Sequence, residues 1–133
     1  MKKPIILVVD DNPTNLKLAG DLLEFEGYTV LRACDATEVQ ETLKKTEPAL
    51  ILMDIQMPGM DGLTLTRLIK SDSTHTKIRI VAMTAFAMTG DEEKALAAGC
   101  DGYITKPIDT RQFPEQVKKF LEMDANSAGR VAP

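Results

Sequence analysis

The 133-residue chain has no tryptophan, two cysteines, one histidine, and aromatics at only 5% of its positions. Cys34 and Cys100 are too few and too far apart for a disulfide scaffold or a cysteine-rich zinc site, which suits a reducing compartment. No basic partner or Cys-x-x-Cys spacing accompanies them, so both are expected as buried small hydrophobes and not as reactive thiols. Eight glycines and seven prolines are too sparse for a collagen-like or low-complexity chain. Long apolar runs are missing as well. The longest, Ile5 to Val9 and Ala49 to Met53, fall far below the ~18 residues that span a bilayer as a helix. The start, Met1-Lys2-Lys3-Pro4, has the charge of a signal peptide, but Asp10-Asp11 interrupts the apolar stretch before an h-region of about 7–15 residues forms. A cytoplasmic protein without membrane contact is therefore expected. Excess positive charge is also lacking: 16 Lys+Arg face 20 Asp+Glu, a net charge of −4, so nucleic acid is not an expected partner.

What is present is enough for one domain: 44% hydrophobic and 27% charged residues in a chain long enough to bury a core. Ile5-Ile6-Leu7-Val8-Val9 is a continuous β-branched run, the mark of a strand covered on both faces. Thr14 to Glu26 places Leu16, Ala19 and Leu23 at helical spacing, and Gly27 supplies the stop. Thr29 to Ala33 reads as a second strand. Asp35-Ala36-Thr37-Glu38 has capping-box spacing before Val39 and Leu43, with Pro48 closing that helical region. The apolar run Leu50-Ile51-Leu52-Met53 leads into Asp54, after which Leu65, Leu68 and Ile69 mark a third helix. Ser71 to Lys77 is a polar connector, with His75 expected as an exposed loop residue. Ile80 to Met83 and Tyr103 to Thr105 are two further strands. Between them, Thr89-Gly90-Asp91-Glu92 opens a helix that Gly99 ends, and Phe113, Val117, Phe120 and Leu121 form one face of a last helix.

Strict alternation of apolar strands and helices predicts an α/β fold, a five-stranded parallel sheet doubly wound by five helices. A closed eight-fold barrel needs about 200 or more residues and is excluded. The domain is expected over 4–122, followed by a flexible tail over 123–133.

In an open parallel sheet the ligand site lies beyond the carboxyl ends of the strands. Those ends carry Asp10 and Asp11, Asp54, Thr84, and Lys106-Pro107. Crowded carboxylates repel one another unless a cation neutralises them, and oxygen ligands without His or Cys favour Mg²⁺. Thr84 and Lys106 are the hydroxyl and the point charge that hold phosphoryl oxygens. Asp54, at the end of a rigid central strand, is the best candidate to accept phosphate as an acyl phosphate. Taken one at a time these residues have plainer readings: Asp10-Asp11 as charges at a helix N-terminus, Asp54 as a solvated strand end, Lys106 as a surface lysine. Their joint placement at adjacent strand ends favours a site.

In order and spacing, Asp10-Asp11, Met53-Asp54-Ile55-Gln56-Met57-Pro58-Gly59-Met60-Asp61-Gly62, Thr84-Ala85 and Tyr103-Ile104-Thr105-Lys106-Pro107 resemble the response-regulator receiver domains of the CheY-like, flavodoxin-like kind, over about residues 4 to 122. Within the family, the single-domain cell-division regulators are similar in Asp21-Leu22-Leu23-Glu24 and Thr84-Ala85-Phe86-Ala87-Met88. The resemblance implies that a histidine kinase or histidine phosphotransfer protein donates phosphate to Asp54. It further implies Mg²⁺ held by Asp11, Asp54, the backbone carbonyl of Gln56 and, through water, Asp10. Thr84 and Lys106 would bind phosphoryl oxygens, Tyr103 would be the switch aromatic that turns inward, and the bond before Pro107 would be cis. The Gln56 side chain is placed to tune acyl-phosphate hydrolysis.

Two alternatives accompany this reading: a receiver excised from a larger regulator or hybrid kinase, and an aspartyl-phosphate phosphatase. The phosphatases resemble an Asp-x-Asp pattern whose second carboxylate acts as acid and base, and Gln56 stands in that place. Only the tail follows the last helix, so output is expected through contact with a downstream protein, by a monomer or weak dimer that is not itself an enzyme. Met88 is a candidate contact.

Overall fold

Five apolar runs pair side by side in parallel, and each crossing between them is made by a helix. The computed structural model describes residues 4–55, 62–75, 77–84, 91–106 and 108–122. In chain order the elements are β1 (Ile5–Val9), α1 (Pro13–Phe25), β2 (Thr29–Ala33), α2 (Ala36–Lys45), β3 (Leu50–Asp54), α3 (Gly62–Ser71), a 3₁₀ turn (Ser73–His75), β4 (Arg79–Thr84), α4 (Asp91–Ala98), β5 (Gly102–Thr105) and α5 (Phe113–Glu122). The strand order is β2-β1-β3-β4-β5, all parallel. This is the expected doubly wound sheet.

Alternate residues of each strand feed opposite faces, as the period of two requires. Ile6, Val8, Leu50, Leu52, Val81, Met83 and Ile104 pack under α1 and α5, against Ala19, Leu23, Phe113 and Val117. Leu7, Val9, Ile51, Met53, Ile80 and Ala82 pack under α2, α3 and α4, against Val39, Leu43, Leu65, Ile69 and Ala95. β1, β3 and β4 are buried nearly throughout, whereas the edge strands β2 and β5 have exposed positions. That contrast explains why the central strands read as unbroken apolar runs and the edges do not.

Local signals set the helix ends, with some departures from expectation. α1 starts one residue before Thr14, because Asn12 caps it: its Oδ1 accepts the N–H groups of Thr14 (2.9 Å) and Asn15 (3.1 Å), with Pro13 in the first turn. Asp35 caps α2 by accepting Glu38 N–H at 2.8 Å, but the Glu38 carboxylate reaches past the cap to the N–H of Cys34 at 2.7 Å. α2 ends at Lys45 and Thr46, ahead of Pro48. Gly27 (φ 95°) and Gly99 (φ 110°) stop α1 and α4 in the left-handed region that favours glycine. The Thr89-Gly90 start of α4 and the tail over 123–133 lie outside the described residues.

At the amino end of the sheet, Lys70 of α3 donates to Asp101 Oδ2 (3.0 Å) and to the carbonyl of Ile78 (2.8 Å). Asp101 Oδ2 also accepts Ile80 N–H at 2.9 Å, and Asp101 N–H donates to the Ile80 carbonyl at 2.7 Å. Both charged side chains are mostly buried, so this clamp ties α3 to β4 and to the entry of β5.

Candidate functional site

β1 lies between β2 and β3, so the chain leaves it toward opposite sides of the sheet and opens a crevice at the carboxyl ends of β1 and β3. Asp10 and Asp11 follow β1, and Asp54 is the last residue of β3. One carboxylate oxygen from each of the three lies within 4.8 Å of those of the others. Asp10 and Asp54 are buried (2% and 3% exposed), while Asp11 faces solvent. Asp10 divides its duties: Oδ1 accepts Asn12 N–H at 2.9 Å at the start of α1, and Oδ2 faces Lys106. The helix cap is therefore Asn12, and the plainer reading of the aspartate pair as helix-end charges does not account for their burial.

Lys106 enters from the other side. Its backbone N–H donates to the Thr84 carbonyl at 2.7 Å, which fixes the residue just past the paired ends of β4 and β5. Its Nζ then lies 3.1 Å from Asp10 Oδ2 and 3.4 Å from Asp54 Oδ1. At an effective dielectric of about 20, two carboxylates 4.8 Å apart repel by roughly 3.5 kcal/mol. One ammonium among three carboxylates leaves the cluster a formal charge of −2. Hard oxygen donors, a net double negative charge and one solvent-facing ligand that leaves room for water fit a divalent cation such as Mg²⁺.

Thr84 is buried (1% exposed) at the end of β4, beside Asp54 because β3 and β4 are neighbours. It pairs in register with Thr105, while Ala82 pairs with Tyr103. Tyr103 is thus the diagonal neighbour of Thr84 on one sheet face, at the edge strand, and 38% exposed. The structure brings Asp10, Asp11, Asp54, Thr84 and Lys106 to one edge and places Tyr103 next to it. Gln56, Pro107 and Met88 lie outside the described residues.

Two expectations are corrected. Cys100 is buried, with its thiol pushed up to about 11 by desolvation, but Cys34 is exposed, because it stands just past the end of edge strand β2. Its thiol is also raised, chiefly by the Glu38 carboxylate. His75 is half-buried in the 3₁₀ turn and lines a cleft of about 310 Å³ between α2 and α3, 3.8 Å from Asp72. The cleft lining contains none of the acidic-cluster residues. Gly62, which closes the family-like stretch in the sequence but has no role assigned there, opens α3 directly against the Asp54 carbonyl and the Ile55 Cα. Its signal in the sequence was its place at the end of that stretch, eight positions after the candidate nucleophile.

Residues 6–118 match the family model of the response regulator receiver domain. The polar-differentiation response regulator DivK of Brucella anthropi is 42% identical over 116 residues, 87% of this chain and 94% of DivK. Among solved structures, a CheY-like response regulator receiver domain protein from Methanospirillum hungatei superimposes with a TM-score of 0.81 at 32% identity, covering 91% of this chain and 95% of that one. The signal receiver domain of a signal transduction histidine kinase from Syntrophus aciditrophicus gives 0.81 at 30% identity, over 92% and 96%.

Proposed function

Because the chain belongs to the response regulator receiver domain family, the receivers of two-component signalling, we propose that it takes a phosphoryl group onto Asp54 from a histidine kinase or histidine phosphotransfer protein, with Mg²⁺ as cofactor, and that this modification switches its binding to a downstream protein. The observation that carries the reading is the Asp54 carboxylate, buried at a rigid strand end, with Lys106 Nζ at 3.4 Å and the oxygens of Asp10 and Asp11 within 4.8 Å.

The chemistry follows from those positions. An Asp54 carboxylate oxygen forms the bond to phosphorus as the bond from phosphorus to the donor imidazole nitrogen breaks, and the electron pair leaves with that nitrogen. Little else is needed beyond positioning and charge neutralisation. Asp11, Asp54, the Gln56 carbonyl and, through water, Asp10 would hold Mg²⁺, which would supply charge neutralisation at the phosphoryl oxygens. Lys106 is already within reach of Asp54 and takes one phosphoryl oxygen through its ammonium. The Thr84 hydroxyl takes another, and its movement toward the phosphoryl group vacates space that Tyr103 fills by turning inward. The surface of α4, β5 and α5 reports the change. Gln56 controls water access to the acyl phosphate and so its lifetime. The chain works in the cytoplasm as a phosphoacceptor, as a monomer or weak dimer, and its own chemistry is limited to self-phosphorylation from small donors and slow hydrolysis.

Intact-mass measurement after incubation with acetyl phosphate and Mg²⁺ tests the assignment. One phosphoryl adduct is expected on the wild-type chain, none on Asp54→Asn and none in EDTA. Labelling of Asp54→Asn at the wild-type level overturns it. A panel of purified histidine kinases then identifies the donor by rate of transfer.

A further inference from the structure

Among the described glycines, three have a neighbour into which an added Cβ would drive closer than 3.0 Å. At Gly20 that neighbour is the far end of the Arg32 side chain, and at Gly102 the ring of Phe120. Side-chain ends move cheaply. At Gly62 the neighbours are backbone: the carbonyl oxygen of Asp54 itself and the Cα of Ile55, at 2.7 Å, with Met53 Cγ at 3.0 Å. The same junction is stitched by two backbone hydrogen bonds, Gly62 N–H to the Ile55 carbonyl (3.4 Å) and Ile55 N–H to the Met83 carbonyl (3.3 Å). β3 is pinned on its other side by β1 and is buried along its whole length, so its end has no free direction in which to give way.

We infer that Gly62 is a positioning residue for the phosphoacceptor: the missing Cβ lets the first turn of α3 press on the Asp54–Ile55 backbone, and this contact sets how far the Asp54 carboxylate stands from Lys106 and from the carboxylates of Asp10 and Asp11. The inference rests on Asp54 being the acceptor. It adds that α3, a helix carrying no group of the cluster, holds the reacting oxygen in place. Any L side chain at this position must part α3 from the end of β3, and the displacement falls on the one residue whose oxygen has to meet phosphorus in line. A misplacement of about 1 Å at a reacting group costs about 100-fold in rate.

The test compares Gly62→Ala with the wild-type protein and with Leu65→Ala, which loosens the packing of α3 at a fully buried position while adding no atom near Asp54. Gly62→Ala is expected to take phosphate from acetyl phosphate about 10- to 100-fold more slowly and to bind Mg²⁺ more weakly by calorimetry, with Asp54 and Ile55 amide resonances displaced from their wild-type positions. Leu65→Ala is expected to lose thermal stability yet keep labelling and Mg²⁺ affinity within about twofold. Wild-type rate and Mg²⁺ affinity in a folded Gly62→Ala overturn the inference, as does an equal labelling defect in Leu65→Ala. Should Gly62→Ala not fold, the wild-type spectrum decides: the Gly62 amide must shift on Mg²⁺ titration together with Asp54 and Ile55, and an unmoved Gly62 amide overturns the inference. Should the wild-type protein take no phosphate at all, the acceptor reading falls on its own, and the amide comparison between the wild type and Gly62→Ala still decides whether Gly62 positions Asp54.

Discussion

Replacing Lys106 by methionine keeps the stem and removes the charge, which isolates the electrostatic balance of the acidic edge. The ammonium lies 3.1 Å from Asp10 and 3.4 Å from Asp54, and each contact is worth about 5 kcal/mol of Coulomb energy at an effective dielectric of 20. Much of that is offset because the variant no longer desolvates an ammonium. Removing one partner of a buried pair nets about 3–5 kcal/mol, and a figure near 3 suits a lysine that keeps some water contact. With a urea slope of about 1.5 kcal/mol per molar, the unfolding midpoint in EDTA should fall by about 2 M. Mg²⁺ should then narrow the gap. A cation bound only by the native state stabilises by about 2.7 kcal/mol at 100 times its Kd, and its affinity rises once no ammonium competes for the same carboxylates. The assay is a pair of urea titrations, in EDTA and in Mg²⁺, for both proteins. A variant as stable as wild type in EDTA, or a gap that Mg²⁺ widens, refutes the charge balance described for this edge.

The Lys70–Asp101 clamp lies at the opposite edge, so Asp101→Ala should cost about 2–3 kcal/mol in urea unfolding while a folded variant still takes phosphate at the wild-type rate. Thr84→Ala should accept phosphate but signal poorly, and Tyr103→Ala should label normally yet lose a phosphorylation-dependent change in partner affinity of about 5–150-fold, read by calorimetry; full coupling in Tyr103→Ala refutes the proposed link. Cys100, with its thiol pushed up to about 11, carries little thiolate below that pH, so native-state alkylation should stay slow through pH 9 and become fast only on unfolding. Exposed Cys34 should react first, and Glu38→Gln, by removing the main cause of its raised thiol, should speed that reaction at pH 8.

The fold was legible because burial on two faces forces a composition that the chain cannot disguise. β1, β3 and β4 are unbroken apolar runs, and the polar residue ending each run, Asp10, Asp54 or Thr84, lies at the edge where parallel strands present their ligands. Helix ends were read less well where the signal is a cap and not a hydrophobic period: α1 is started by Asn12 and Pro13, ahead of its first apolar residue. Cys34 was misplaced for a related reason. Small and apolar by type, it sits past the end of an edge strand, and a single sequence does not show which strands are edges. Gly62 was the hardest residue to read, since a glycine after a loop has the same letter whether it serves a turn or a close approach of two backbones.

The two ends of the sheet carry opposite electrostatic economies. At the amino end, one lysine and one aspartate meet with their backbone partners satisfied. At the carboxyl end, three carboxylates gather, the two buried ones, Asp10 and Asp54, sharing the Lys106 ammonium. A protein selected for stability alone would not retain that second arrangement, because neutral residues of similar shape avoid the repulsion. The net negative charge of this edge favours a cation, and the proposed phosphoryl group would find an ammonium already in place. Lys106 already touches both Asp10 and Asp54, so under the proposed function a phosphoryl group on Asp54 would draw it away from Asp10, one residue beyond the Thr84–Thr105 pair that ends β4 and β5.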